Sequence, residues 1–156
     1  MYTCEYVFNT CKMSYTIEIG CDHAGVDLKK EIINHLESKG FKVNDHGAFS
    51  AESVDYPDFA HSVSKAVIAN SNSLGILICG SGNGINMTAN KYAQIRSALC
   101  WTAEIAQLAR LHNNANVIAL PARFIKTDEA LKAVDIFLAT GFEGGRHEKR
   151  VNKITC

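Results

Sequence analysis

The chain has 156 residues, 47% of them hydrophobic and 21% charged, with a formal net charge of zero. That length and balance suit one globular domain with a well-buried core. They exclude a polybasic nucleic-acid binder and an electrostatically held membrane protein. No apolar stretch approaches the roughly 20 residues of a membrane span. The opening MYTCEYVFNTCK lacks the basic start and apolar block of a signal peptide, so a cytoplasmic location is expected. Six cysteines are present, but Cys21, Cys79 and Cys100 each end a predicted strand and no two cysteines stand at CxxC spacing. Free thiols in a reducing compartment are expected, and the usual role of any one is that of a small buried residue.

Residues 1–14 are aperiodic and read as an N-terminal extension; residues 15–156 read as a single domain. Tyr15, Ile17, Ile19 and Cys21 alternate and predict a first strand. A helix follows from about Gly25 to Lys39, with Leu28, Ile32 and Leu36 four apart and Gly40 stopping it. Phe41 to Asn44 is a short second strand. Pro57 is placed to open the next helix, whose apolar stripe is Phe59, Val63 and Val67. Leu74 to Cys79 is apolar apart from Gly75, which is how a strand covered on both faces reads. A glycine loop and a short helix through Met87 to Lys91 come next, then a strand from Ser97 to Trp101. Thr102 is placed to cap a helix carrying Ile105, Leu108 and Ala109. Val117 to Leu120 is the fifth strand. Thr127 is placed to cap a last long helix with Leu131, Val134 and Leu138, ending near Gly141, and a charge-rich tail follows.

Strands alternating with helices predict an α/β fold with a parallel sheet covered on both faces. In such sheets the ligand site lies outside the carboxyl ends of the strands. The residues there are Asp22-His23, Asp45-His46, Cys79 with its loop, Trp101 and, a little further on, Arg123. Nearly every strand ends in a chemically capable group.

The loop Gly80-Ser81-Gly82-Asn83-Gly84 can turn its N–H groups into a nest beside a helix N-terminus. A nest stabilises negative charge, whether a phosphate or a developing oxyanion; the plainer alternative is a structural turn. Three familiar phosphate patterns fail. Ile85 and Asn86 stand where a Walker loop needs Gly-Lys. The dinucleotide pattern fails on its third glycine and on Cys100-Trp101, where an acidic residue belongs. Ile85 also stands where a cysteine phosphatase needs arginine. Cys79 lies at the positive end of the nest, which favours its thiolate. A thiolate base beside oxyanion donors is what proton abstraction next to a carbonyl requires.

Arg146 and Arg150 stand four apart with His147 between them, an arrangement suited to phosphate and equally to a solvated basic tail. Arg123 and His23 can converge on the same anion. His112, before Asn113, suits either a helix-end histidine or a proton-transfer group. Cys21-x-His23 is not a usual zinc spacing.

Five stretches, GCDHAG, DYPDFA, ICGSGNGINMTANK, LARLHNNANV and EGGRHEKRV, together closely resemble the type B ribose-5-phosphate isomerases from about Tyr15 to Ile154. The resemblance implies a Rossmann-like three-layer α/β/α sandwich with a five-stranded parallel sheet. It implies interconversion of ribose 5-phosphate and ribulose 5-phosphate in the pentose phosphate pathway, through an enediol and without metal or cofactor. Cys79 matches the family's base. Some members carry a glutamate in the loop, where this chain has Ile85. Gly80 to Gly84 would bind the enediolate oxygens, with a hydroxyl contact from Ser81. His112 and Asp22 would assist ring opening, with Tyr56 and Asn113 nearby. His23, Arg123, Arg146, His147 and Arg150 would take the phosphate. Family sites form between two subunits, which implies a homodimer, with pairing into tetramers left open.

Rival readings are an allose 6-phosphate or galactose 6-phosphate isomerase of the same fold, a nucleotide-binding module without chemistry, and a sheet-based interaction protein.

Overall fold

A computed structural model describes residues 15–155. The extension expected over residues 1–14, with Cys4 and Cys11, lies outside the described residues, as does Cys156. Five strands form one parallel sheet in the order β2-β1-β3-β5-β4. They are β1 (Thr16–Cys21), β2 (Lys42–Asp45), β3 (Ser73–Cys79), β4 (Ser97–Leu99) and β5 (Val117–Pro121). The helices between and after them are α1 (Val26–Ser38), α2 (Tyr56–Ala69), α3 (Asn83–Ala89), α4 (Ala103–Asn113), α5 (Thr127–Ala139) and α6 (Arg146–Val151).

Strand periodicity sorts the side chains into two layers, because successive residues point to opposite faces. Ile76 and Ile78 of β3 and Ile118 and Leu120 of β5 join a core completed by Ile32 and Leu36 of α1, Ala106 of α4, and Val134 and Phe137 of α5. Leu77 and Cys79, with Val117 and Ala119, face the other way against Ala60, Val63 and Val67 of α2 and Ile85 of α3. β3 is buried along its whole length, as its apolar run requires. The expected three-layer sandwich is present.

Several predicted features differ, among them β4, which was expected to run to Trp101 but ends at Leu99, leaving Cys100 just beyond it. α3 begins at Asn83, inside the predicted glycine loop, because Gly82 takes a left-handed conformation (φ 75°) that turns the chain directly into the helix. Thr127 does not cap α5: the N-cap residue is Lys126, and no side chain caps the helix. Thr102 does cap α4, its hydroxyl accepting from the Ile105 N–H at 3.3 Å. The charged tail is not merely solvated, since it folds into α6 and buries His147.

Candidate active site

The chain enters the sheet at β1, crosses to β2 on one side, and then to β3 on the other. The crevice at that change of direction lies between the carboxyl ends of β1 and β3, where open α/β sheets bind ligands. A cavity of about 420 Å3 occupies it, lined by Asp22, His23 and Ala24 after β1, Cys79, Gly80 and Ser81 after β3, Arg123 and Phe124 after β5, and Tyr56 and Gly84 from α2 and α3.

Each side chain is held by its neighbours. Asp22 is buried and accepts the Ala24 N–H at 2.9 Å, closing the 3-10 turn that carries His23. His23 Nδ1 accepts the Val54 N–H at 3.3 Å. A ring nitrogen that accepts holds no proton, so in the neutral ring Nε2 carries it and acts as donor.

Cys79 Sγ accepts the Gly82 N–H at 3.2 Å. Of the five loop residues expected to serve the ligand, Gly80, Ser81 and Gly84 line the cavity, while Gly82 turns its N–H to the thiol. Asn83 opens α3, its N–H donating to Ser81 Oγ at 3.3 Å.

Two glycines are closely approached by side chains of the site. A Cβ at Gly84 would stand 2.5 Å from Tyr56 Cζ, and one at Gly80 would stand 3.3 Å from Arg123 Cζ. The phenol and the guanidinium thus lie against bare backbone at the cavity wall. The Arg123 N–H donates to the Gly80 carbonyl at 3.0 Å, and the Ala122 N–H to the Cys79 carbonyl at 2.9 Å, which fixes the β5 turn to the cysteine loop.

Five expected site residues lie elsewhere. His112 and His147 stack on each other, with ring centroids 4.2 Å apart. Arg146 and Arg150 line a separate cavity of about 500 Å3 with Lys149 and Lys153. Asn113 lines a third, with Tyr92 and Arg96. Topology explains the separation. α4 links the carboxyl end of β4 to the amino end of the parallel strand β5, so it returns along the sheet and leaves His112 at the amino edge. A strand as long as β3, 7 residues at about 3.3 Å each, puts roughly 20 Å between the two edges. Sequence reasoning did not single out Ala24 or Phe124, whose side chains carry no polar signal, or Glu143, whose carboxylate lies 3.6 Å from His147 Nε2 and 3.8 Å from His112 Nε2.

A thiol at a strand end, flanked by loop donors, a carboxylate, a phenol and a guanidinium, is equipped for proton transfer on a small anionic carbonyl compound. The family model described as Ribose/Galactose Isomerase matches residues 17–154, and the chain belongs to that family. Among individual relatives it is 46% identical over 140 residues to ribose-5-phosphate isomerase B of Escherichia coli, covering 90% of this chain and 94% of that one. A crystal structure of a ribose 5-phosphate isomerase from Thermotoga maritima superposes with a TM-score of 0.88 at 49% identity, covering 90% of this chain and 97% of the other. The ribose-5-phosphate isomerase B of Mycoplasma genitalium, with bound ribulose-5-phosphate, gives a TM-score of 0.87 at 49% identity, covering 91% and 95%.

Proposed function

We propose that the chain is a ribose-5-phosphate isomerase that interconverts ribose 5-phosphate and ribulose 5-phosphate with Cys79 as the base. The observation that carries this is the position of Cys79 Sγ at the switch-point crevice, with the Gly82 N–H on it and Asp22, Tyr56 and Arg123 around the same cavity. Relatives named for this reaction, one with ribulose-5-phosphate bound, support the substrate. Ile85, where some members carry a glutamate, is fully buried among apolar neighbours and offers no second base.

In the aldose-to-ketose direction Cys79 removes the C2 proton of the open-chain sugar and returns a proton to C1. Loop N–H groups at Gly80 and Ser81 stabilise the enediolate oxygens. The guanidinium of Arg123 and the Nε2–H of His23 receive the phosphate. Ring opening falls to His112 and Asp22.

His112, Asn113, Arg146, His147 and Arg150 come to this cavity from a second copy of the chain. The support is topological: within one chain they lie at the opposite edge of the sheet. The exposed wall of the cavity agrees with a covering partner, since Phe124, which lines it, is 76% exposed. A cytoplasmic enzyme fits the same reading; among the described residues no helix is long and apolar enough to cross a membrane.

The test is a coupled assay for ribulose 5-phosphate formation with a chelator present, run beside allose 6-phosphate and galactose 6-phosphate. Turnover of ribose 5-phosphate at the highest kcat/KM is expected. Preference for a six-carbon substrate would transfer the chain to the other branch of its family. Adenine nucleotide binding without turnover of any sugar phosphate would replace catalysis by a binding role.

A further inference from the structure

Among the described residues, one place brings three metal-capable ligand atoms together: His112, Glu143 and His147, all within 4.8 Å of one another. The frame is firm. Glu143 lies between α5 and α6, and its N–H donates to the Leu111 carbonyl at 3.1 Å, pinning the segment to the end of α4. His147 is 7% exposed, in the first turn of α6.

The spacing is informative. Glu143 Oε2 lies 3.6 Å from one imidazole nitrogen and 3.8 Å from the other, too far for hydrogen bonds. Donors held about 2.1 Å from a tetrahedral zinc ion stand roughly 3.4 Å apart. The carboxylate oxygen therefore sits slightly farther from each nitrogen than such an ion would hold it, within a trio that lies inside 4.8 Å. Coordination must swing the imidazoles out of their parallel stack, at 9° between planes, so that both lone pairs converge. Two imidazoles and a carboxylate are the donor set of borderline divalent metals. Arg146 Nε donates to His147 Nε2 at a long 3.4 Å, a contact that a metal would displace. Arg146 and Arg150 oppose a cation, so the Glu143 carboxylate is indispensable as counter-charge.

We propose that His112, Glu143 and His147 form a site for a borderline divalent cation such as zinc, and that its occupancy inhibits the enzyme. Inhibition rests on the isomerase reading, because the metal would capture the ring-opening His112 and the phosphate-binding His147. Binding does not rest on it.

Cobalt is the probe that separates the two claims. Titrated into the full chain, Co2+ is expected to give visible d–d absorption without the near-ultraviolet band of a thiolate ligand, and Zn2+ should abolish it. Glu143→Gln, an exposed substitution that spares the fold, should weaken binding by more than about tenfold, and His147→Ala likewise. Cys79→Ser should bind cobalt as the wild type does. Zn2+ should slow turnover of the wild type, and the ratio of activities with and without Zn2+ should move toward one in Glu143→Gln. A thiolate band, loss of binding in Cys79→Ser, or unchanged affinity in Glu143→Gln would overturn the site. Binding as expected with zinc-insensitive turnover would overturn the inhibition alone.

Discussion

Cys79 differs from the two other described thiols in what surrounds its sulfur. Burial pushes Cys21 up to about 11 and Cys100 up to about 12, so both stay protonated and inert near neutrality. Cys79 is also buried, but it lines a cavity and takes a backbone N–H on sulfur. Among the described thiols, iodoacetamide at mild alkaline pH should therefore alkylate Cys79 first, as read by peptide mapping, with ribose 5-phosphate protecting it. Cys79→Ala removes the proposed base and keeps the loop and the cations. Its kcat should fall by roughly 10²-fold or more with KM little changed, the pattern of lost proton transfer. Exchange of the C2 proton into deuterated water should slow in step. Wild-type exchange in that variant would reduce Cys79 to a packed strand-end residue. Gly84→Ala makes a complementary case. The new methyl must displace the Tyr56 ring, which is 39% exposed and free to swing outward. The fold should survive while kcat/KM for ribose 5-phosphate drops; a variant as active as the wild type would show that the phenol does not need its seat on the loop.

Helix ends separate what a sequence can say from what only packing decides. Thr102 and Thr127 look alike as caps, each a threonine ahead of a periodic apolar run with an acidic residue close behind. Only Thr102 adopts the extended backbone that lets its hydroxyl reach back to an N–H; Thr127 is already helical. Thr102→Ala should destabilise the protein by about 1 kcal/mol, and Thr127→Ala by less than about 0.5 kcal/mol, in urea midpoints at constant m. Equal shifts would mean that neither cap matters. The same division runs through the site. Asp22, His23, Cys79 and Arg123 were legible because strand ends are where parallel sheets bind ligands, and strand ends follow from apolar runs. The start of α3 was not legible, since it turns on whether Gly82 adopts a left-handed conformation. Nor was the meeting of Glu143 with His112, which are 31 positions apart and joined only when the tail docks on α4. The burial of Lys29 left no periodic signal either, yet its ammonium is 2% exposed and bonds Asp45 and the Ala48 carbonyl.

At the scale of the whole molecule, the residues of the proposed site fall at both edges of the sheet, and a parallel α/β sheet cannot fold those edges together. The proposed symmetric dimer would solve this, because a two-fold axis can bring the amino edge of one copy to the carboxyl edge of the other, twice. The arrangement predicts complementation. On the proposed roles, Cys79→Ala lacks the base and Arg150→Ala loses a charge-assisted bond to phosphate of about 1.5–3 kcal/mol, so each alone should be weak at low substrate. When the two variants are coexpressed with different tags, a mixed dimer has one site carrying both defects and one carrying neither. If subunits assort at random, half of the dimers are mixed and half of their sites are intact, so activity should return to about a quarter of wild type per chain. The mixed species, isolated through both tags, should reach about half. If Cys79 and Arg150 served the same site from the same chain, every site in every dimer would carry a defect, and mixing would restore nothing. Activity in the doubly tagged fraction, set against half that of the Arg150→Ala homodimer, thus reports which chain supplies the proposed phosphate-binding arginine.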